Sequence, residues 1–309
     1  MKGRAPTKNG AVTGLQSNAA TRRPLRVPTA EELPPLFART PLALFDEALT
    51  FLRIQPALLF GIATIVLLPL RLVAAAMPGS PLRDARPDQL ADIFIGNLSQ
   101  PGAVAAAIVT LALESVALLT VASIYGELVA SWYSGRTMSA TDLLMSSIKR
   151  SPIIIAAWIS TRLLVVTGAF ITLGILGLLV GVFFAVVGPV LGAENARPIE
   201  AMRRSSQLVS AKLGQTILVF AVTGLGGVLM RIMIEVAPSV ITNQLGIGLP
   251  LWITSGVTDI VASIIVIAFT ASASVMLYLD LRVRREGIDL DMAIERSFSA
   301  RRSGGGRRG

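Results

Sequence analysis

Four charged side chains lie inside long apolar runs of this sequence, where they could either do chemistry or hold helices together. They are Arg71, Glu114, Arg162 and Asp259. A charge at the centre of a bilayer costs at least about 2.5 to 3.5 kcal/mol on insertion scales, so each needs an opposite charge or a polar cavity. Such groups can form a proton or ion path, bind a polar head group, or pair to fix the register of helices.

Depth along the apolar runs suggests which of these charges are partners. Glu114 and Arg162 both fall near the middle of their runs, which are neighbours in the chain. The sequence therefore predicts a Glu114–Arg162 pair that faces the interior of a helix bundle. Arg71 and Asp259 both fall in the outer half of the membrane and could meet by depth. Asp259 is also the better candidate for a coupling acid, should the chain be a transporter.

Many catalytic chemistries are excluded because the sequence contains no cysteine and no histidine. A thiolate nucleophile, a histidine general base and a Cys/His metal site are all impossible.

Arg231 and Glu235 are spaced i, i+4 and can simply pair on one helix near the membrane interface. The glycines at 224–227 follow no strand and lie in an apolar run, so they do not form a dinucleotide loop. We expect no catalytic residue, no cofactor and no metal.

The composition indicates an all-α polytopic membrane protein. Of 309 residues, 53% are hydrophobic and 15% are charged. Runs of 18 or more apolar residues are long enough to cross about 30 Å of hydrocarbon as helices. Six spans are predicted, at 56–77, 100–126, 151–170, 172–192, 212–235 and 250–280. They form one membrane domain over 39–295, between a disordered basic segment at 1–38 and a flexible basic tail at 296–309.

The net charge of +9 is concentrated at the two ends of the chain. Because an even number of spans puts both termini on one side, the positive-inside rule predicts cytoplasmic N- and C-termini in a bacterial plasma membrane. The basic ends can contact anionic lipid head groups. No aromatic residues interleave the N-terminal charges, as a stacking platform for nucleic acid would require, so no nucleic acid is expected. Protein partners remain possible.

Three stretches of the sequence read alike: "FDEALTFLRIQPALLF" from Phe45, "TDLLMSSIKRSPIIIA" from Thr141 and "IEAMRRSSQLVSAKLG" from Ile199. Each has an acid at its second position, and ten residues later a proline or serine. These positions are Asp46 and Pro56, Asp142 and Pro152, and Glu200 and Ser210. The pattern predicts three transmembrane hairpins, each preceded by a cytoplasmic interfacial amphipathic helix that the proline ends. Chance similarity is the alternative.

The stretches "RTPLALFDEALTFLRIQPALLFGIATIVLLPL", "FFAVVGPVLGAENARPIEAMRRSSQLVSAKL" and "LYLDLRVRREGIDLDMA" together resemble the glycerophosphoryl diester phosphodiesterase membrane-domain family. The resemblance covers roughly residues 38–295 and implies the stand-alone, six-helix bacterial form, with a role in the cell envelope. In that family, as the resemblance implies, a separate catalytic domain uses histidines and a metal-binding carboxylate set. This chain has no histidine and no spare soluble domain, so the phosphodiesterase activity is not expected here.

Three functions are compatible with these features. The first is a non-enzymatic membrane protein that scaffolds or regulates envelope partners, which predicts a closed bundle. The second is a transporter or flippase for a lipid or small polar solute, which predicts a cavity lined by the deep charges. Against it, the spans show no Gly/Pro-broken half-helices of the kind that build a midplane site. The third is a membrane-embedded enzyme, which predicts that carboxylates such as Glu114 and Asp259 converge.

Overall fold

A computed structural model describes residues 25, 28, 40–76, 101–172, 174–244 and 256–287. Within these ranges the regular secondary structure is entirely helical. The predicted basic segments at 1–38 and 296–309 lie outside the described residues, apart from residues 25 and 28. The predicted outer loop at 78–99 also lies outside them.

Nine helices make up the described part of the chain. They are α1 (Pro41–Ile54), α2 (Pro56–Ala76), α3 (Pro101–Tyr133), α4 (Ala140–Ile171), α5 (Ile175–Phe183), α6 (Val187–Glu194), α7 (Pro198–Ser210), α8 (Leu213–Gln244) and α9 (Thr258–Glu286). Six stretches are long and apolar enough to cross a membrane: Pro56–Ala74, Ala105–Tyr133, Ala140–Ile171, Ile175–Glu194, Leu213–Pro238 and Thr258–Glu286. The all-α polytopic class is therefore confirmed.

Helix α9 lies at the centre of the bundle, where it packs against α1, α2, α3 and α8. Small residues such as Ala268, Ala271 and Ser272 are fully buried along it, so neighbouring helices approach it on several faces. The helix stops at Gly287, whose φ of 61° is left-handed and whose amide donates to the Val283 carbonyl at 3.0 Å. This is a glycine C-cap, and it ends α9 beyond the predicted span of 250–280.

Helix α1 packs against the side of α8 and α9, and it is not confined to the rim of the bundle. Its apolar stripe, which includes Leu44, Ala48 and Phe51, is at most 1% exposed. The ring of Phe45 makes an edge-to-face contact with Phe269 at 5.0 Å, beside the middle of α9. The apolar stripe of α1 is therefore buried in the bundle core.

The helix break predicted before Pro56 is confirmed, since α1 ends at Ile54 and α2 begins at Pro56. The break predicted at Pro152 is wrong, because α4 runs without interruption from Ala140 to Ile171. The buried residues of α4 form one continuous stripe: Leu143, Ser147, Ile154, Ala157, Thr161 and Gly168. Pro152 lies on the exposed face, where its missing amide leaves this stripe undisturbed.

The expectation that no span is broken is also wrong. The fourth span is divided into α5 and α6 by a turn at 184–186. Pro189 lies in the first turn of α6. A proline there cannot bond the carbonyl four residues earlier and collides with it, so a continuous helix through this point is prevented. The amide of Phe184 donates hydrogen bonds to the carbonyls of Val180 and Gly181, and α5 ends there.

Glycines let α6 approach α3 backbone to backbone. A Cβ at Gly192 would lie 1.8 Å from the Ser123 carbonyl oxygen, and a Cβ at Gly126 would lie 2.7 Å from that of Pro189. The predicted packing role of Gly177 is also seen, because a Cβ there would lie 2.5 Å from that of Ala169. These contacts hold the broken span against its neighbours.

Candidate functional site

Arg71 is the centre of a buried ion-pair network, here called the Arg71 cluster, which comprises Arg71, Glu114, Arg231, Glu235, Asp259 and Ser263. The Arg71 side chain is 4% exposed, and its Nη1 donates to Asp259 Oδ2 at 3.0 Å. Its Nη2 donates to both Glu114 and Ser263. The predicted meeting of Arg71 and Asp259 is therefore confirmed, and Glu114 joins them.

Arg231 binds the other side of the same carboxylates. Its Nη2 donates to Asp259 Oδ1 at 2.5 Å, and its Nη1 lies 3.5 Å from Glu114 Oε1. Its Nε donates to Glu235 Oε1 at 2.7 Å, which confirms the i, i+4 pair. The pair is not isolated, however, because Asp259 accepts from one arginine on each of its two oxygens.

The Arg71 cluster ties four helices together: α2 through Arg71, α3 through Glu114, α8 through Arg231 and α9 through Asp259. Ser263 lies one turn after Asp259 and also donates to Glu114 at 3.3 Å. Removing one partner from a buried ion pair typically costs about 3 to 5 kcal/mol, because the other charge is left uncompensated. The cluster therefore fixes the relative register of these helices.

The predicted Glu114–Arg162 pair is wrong. Glu114 pairs with Arg71 and Arg231, so it faces α2, α8 and α9. Successive residues of a helix point about 100° apart. The next residue, Ser115, is the one that faces α4, where its hydroxyl accepts from Trp158 Nε1 at 2.8 Å. The depth argument placed Glu114 near the middle of its run, whereas the structure places it at the level of Arg71 and Asp259, and depth carries no information about the direction of a side chain.

Arg162 instead lines a groove between α3, α4, α5, α8 and α9. The groove, here called the Arg162 groove, has a volume of about 230 Å³, and most of its lining is apolar. Arg162 is exposed, and it makes no hydrogen bond or ion pair to the described residues. Ser274 also lines it, and its buried hydroxyl has no partner within the described part of the chain.

A second network, here called the α7 cluster, joins α6, α7 and α9 through Glu194, Arg204, Tyr278, Arg282 and Glu286. Arg204 Nε lies 3.2 Å from Glu194 Oε2, and its Nη2 pairs with Glu286. Tyr278 donates its hydroxyl to Glu194 at 2.9 Å. Burial lowers the pKa of Arg204, but the hydrogen bonds and charges of Glu286 and Glu194 outweigh it and raise that pKa overall. The cluster clamps the amphipathic helix α7 to the bundle.

The repeated acids do not form a common site. Asp142 accepts from the Ser139 amide at 3.3 Å and makes the capping box that starts α4. Glu200 likewise accepts from the Arg197 amide at 3.4 Å at the start of α7. Asp46 lies beyond the first turn of α1. Two of the three acids thus start helices, as an acid near an N-terminus should.

The residues that sequence reasoning missed are Ser263 and the wider role of Arg231. Ser263 follows Asp259 by four positions, which places both on one face of α9. That spacing was the available signal. Among the described residues, no group of three or more acids is arranged to hold a metal ion.

No protein-family model, no curated protein and no solved structure matches this chain. The resemblance to the glycerophosphoryl diester phosphodiesterase membrane-domain family therefore stays a prediction from the sequence.

Proposed function

We propose that this chain is a non-enzymatic integral membrane protein of the bacterial cell envelope that scaffolds or regulates protein partners. The observation that carries the proposal is the Arg71 cluster, in which three of the four charges singled out in the sequence, Arg71, Glu114 and Asp259, bind one another inside the bundle. The resemblance of the sequence to a membrane-domain family agrees with this reading.

The chemistry of the Arg71 cluster favours a structural role over catalysis. Glu114 and Asp259 converge, as an enzyme would require, but both are bound by the same two guanidinium groups. A general acid or base needs a side chain that can reach a substrate proton. Here the carboxylate oxygens are directed at Arg71 and Arg231 inside the bundle, so they act as helix cross-links.

Helix α7 supplies a surface for partners. One face, which includes Ala201, Ser205 and Leu208, is fully buried against the bundle. At the start of the helix Ile199 is 79% exposed, and Arg203 is exposed on the same free side. A large apolar residue beside a cation suits contact with a protein or an anionic membrane surface. By the positive-inside rule we place α7 and both termini in the cytoplasm.

Isosteric cysteine reporters test whether the bundle is closed, because the natural chain has no cysteine. Ser263→Cys reports on the Arg71 cluster, where the serine is 1% exposed. Ser134→Cys is the matched control, at an exposed serine after α3. Each variant is treated in open membrane fragments with a charged, membrane-impermeant thiol reagent. We expect labelling at 134 and none at 263. Labelling at both positions would show water at the cluster and contradict the scaffold.

A transporter or flippase for a lipid or small polar solute is the second candidate. The broken span α5–α6 favours it, as does Arg162, which has no ion pair with the described residues, because broken helices and unpaired deep charges are features of transport sites. Reconstituted liposomes with a fluorescent lipid in one leaflet distinguish the two functions. Protein-dependent transfer of the lipid between leaflets supports the transporter, whereas transfer at the rate of empty liposomes supports the scaffold.

A further inference from the structure

We propose that the Arg162 groove is a binding site for a membrane lipid with an anionic head group. The guanidinium of Arg162 engages the phosphate, and one acyl chain lies along the apolar wall. This inference does not depend on the scaffold function, because a lipid can be held in place or moved by the same groove.

The position of Arg162 provides the first argument. It lies about 15 Å along α4 from Pro152, near the middle of the apolar stretch. An unpaired charge at that depth is costly, and a side chain cannot easily reach the interface from the centre of the membrane. The other deep arginines of the described chain, Arg71 and Arg231, are each bound by two or more carboxylates. Arg162 lacks such a partner, so an anion from outside the described chain completes it.

The lining of the groove provides the second argument. Leu118, Leu119, Val219, Phe220 and Leu277 form a continuous apolar wall. A water-soluble anion would leave the apolar side chains of this wall uncovered, whereas an acyl chain packs against them. The volume of about 230 Å³ is smaller than the roughly 300 to 1,000 Å³ of a whole small-molecule pocket. The groove therefore accommodates only part of a lipid, a segment of one acyl chain near the head group, while the rest of the lipid stays in the bilayer.

The polar groups of the groove provide the third argument. The Ser274 hydroxyl is buried and has no partner among the described residues, and Ser274 lines the groove together with Thr223. A phosphate offers acceptor oxygens to both a guanidinium and hydroxyl donors. Arg162 of α4 and Phe220 of α8 are both exposed at its edge, so the groove is open at the side of the bundle. A lipid can enter it from the membrane without crossing an aqueous phase.

Tryptophan fluorescence gives a direct test, since Trp158 lines the groove one turn before Arg162. Trp132→Phe and Trp252→Phe leave Trp158 as the single tryptophan of the three in the chain. The protein is placed in phosphatidylcholine nanodiscs that contain either chain-brominated phosphatidylglycerol or chain-brominated phosphatidylcholine. We expect the anionic lipid to reach half-maximal quenching at about tenfold lower mole fraction, the size of one charge-assisted contact.

Two matched pairs of variants locate the site. Arg162→Gln should abolish the preference for the anionic lipid, whereas Arg136→Gln, which removes an exposed cation after α3, should retain it. A Cβ at Gly181 meets nothing within 4 Å although this residue lines the groove, so Gly181→Leu fills it and should remove the preferential quenching. Gly224→Leu, at an exposed glycine of α8 with equal space, should not.

Two outcomes overturn the proposal. One is equal quenching by the two lipids in the parent protein, which would mean that a second copy or another segment fills the groove. The other is a preference that survives Arg162→Gln. If the single-tryptophan protein fails to fold, native mass spectrometry of the otherwise natural chain gives the same comparison. The number of phosphatidylglycerol molecules retained should fall by one in Arg162→Gln and remain unchanged in Arg136→Gln.

Discussion

Arg71 and Asp259 are separated by 188 positions in the sequence, yet their side chains meet at 3.0 Å inside the bundle. The contact joins α2, the first predicted span, to α9, the last. Asp259 uses its second oxygen to bind Arg231 at 2.5 Å, so the two ends of the membrane domain and α8 share one carboxylate. This shared acid determines which pairs of substitutions should be coupled.

We expect strong coupling between Arg71 and Glu114 and none between Arg162 and Glu114. Arg71→Gln or Glu114→Gln alone should lower the free energy of unfolding in detergent by about 3 kcal/mol, because a buried charge is left unpaired. The double variant should be less destabilised than the sum by 1 kcal/mol or more, on the order expected for contacting charges. Guanidinium denaturation monitored by tryptophan fluorescence measures both.

The control cycle uses Arg162→Gln with Glu114→Gln. Arg162 makes no contact with the cluster, so the two effects should add to within about 0.5 kcal/mol. A coupling energy as large as that of Arg71 would contradict the arrangement of the deep charges described above.

Gly192→Ala should reduce the folded yield sharply. The added Cβ would lie 1.8 Å from the Ser123 carbonyl oxygen, a backbone atom that cannot rotate away. Overpacking of this kind typically costs about 1 to 3 kcal/mol, and more where the backbone must move. Gly61→Ala is the control, because a Cβ there meets nothing within 4 Å. Size-exclusion profiles of both variants decide the matter; equal monodisperse yields would refute close packing of α6 on α3.

Arg204→Gln should loosen α7, whereas Arg203→Gln should not. Arg204 binds Glu194 and Glu286, but the three side chains are about a quarter exposed, so solvent screening limits the effect to about 1 kcal/mol. Neighbouring Arg203 is exposed and points away from the bundle. Hydrogen exchange of residues 198–210 should be faster by about fivefold in the first variant, as that energy implies. Identical exchange in the two variants would exclude the clamp.

Pro152→Ala should be tolerated and should raise stability by up to about 1 kcal/mol. The helix is already continuous there, so alanine restores a hydrogen bond that proline lacks. Pro56→Ala provides the contrast, because that proline occupies the first position of α2 after a true break, and its loss should be neutral or mildly destabilising. Thermal unfolding in detergent reports both. Destabilisation by Pro152→Ala would show that the proline itself is needed for the packing of α4.

The sequence predicted the meeting of Arg71 and Asp259, but neither the level nor the direction of Glu114. The lengths of the apolar runs predicted the six spans. The similar depths of Arg71 and Asp259 in their runs predicted that the two side chains meet. Depth also suggested Glu114 with Arg162, because both lie near the middle of adjacent runs. The 100° step between Glu114 and Ser115 decides which helix each one faces, and only the packed bundle shows it.

Whether a proline ends a helix also depends on the packing of the residues around it. Pro56 ends a helix and Pro152 does not, although both follow the same pattern of acid and base in the sequence. The difference lies in the buried stripe of α4, which continues on both sides of Pro152 and holds the backbone helical. The break at 184–186 was missed for the related reason that Pro189 sits inside an otherwise uniform apolar run.

The central position of α9 has a consequence for how the protein is made. It follows α1 to α8 in the chain, so these helices enter the membrane before their common packing partner exists. Until then Arg71 can bind Glu114 and Arg231 can bind Glu235, as two separate neutral pairs. The arrival of Asp259 joins these pairs into one network. The last step of assembly is therefore the insertion of one acid between two arginines, and the ion pairs that hold α9 form only after the other helices of the network are in the membrane.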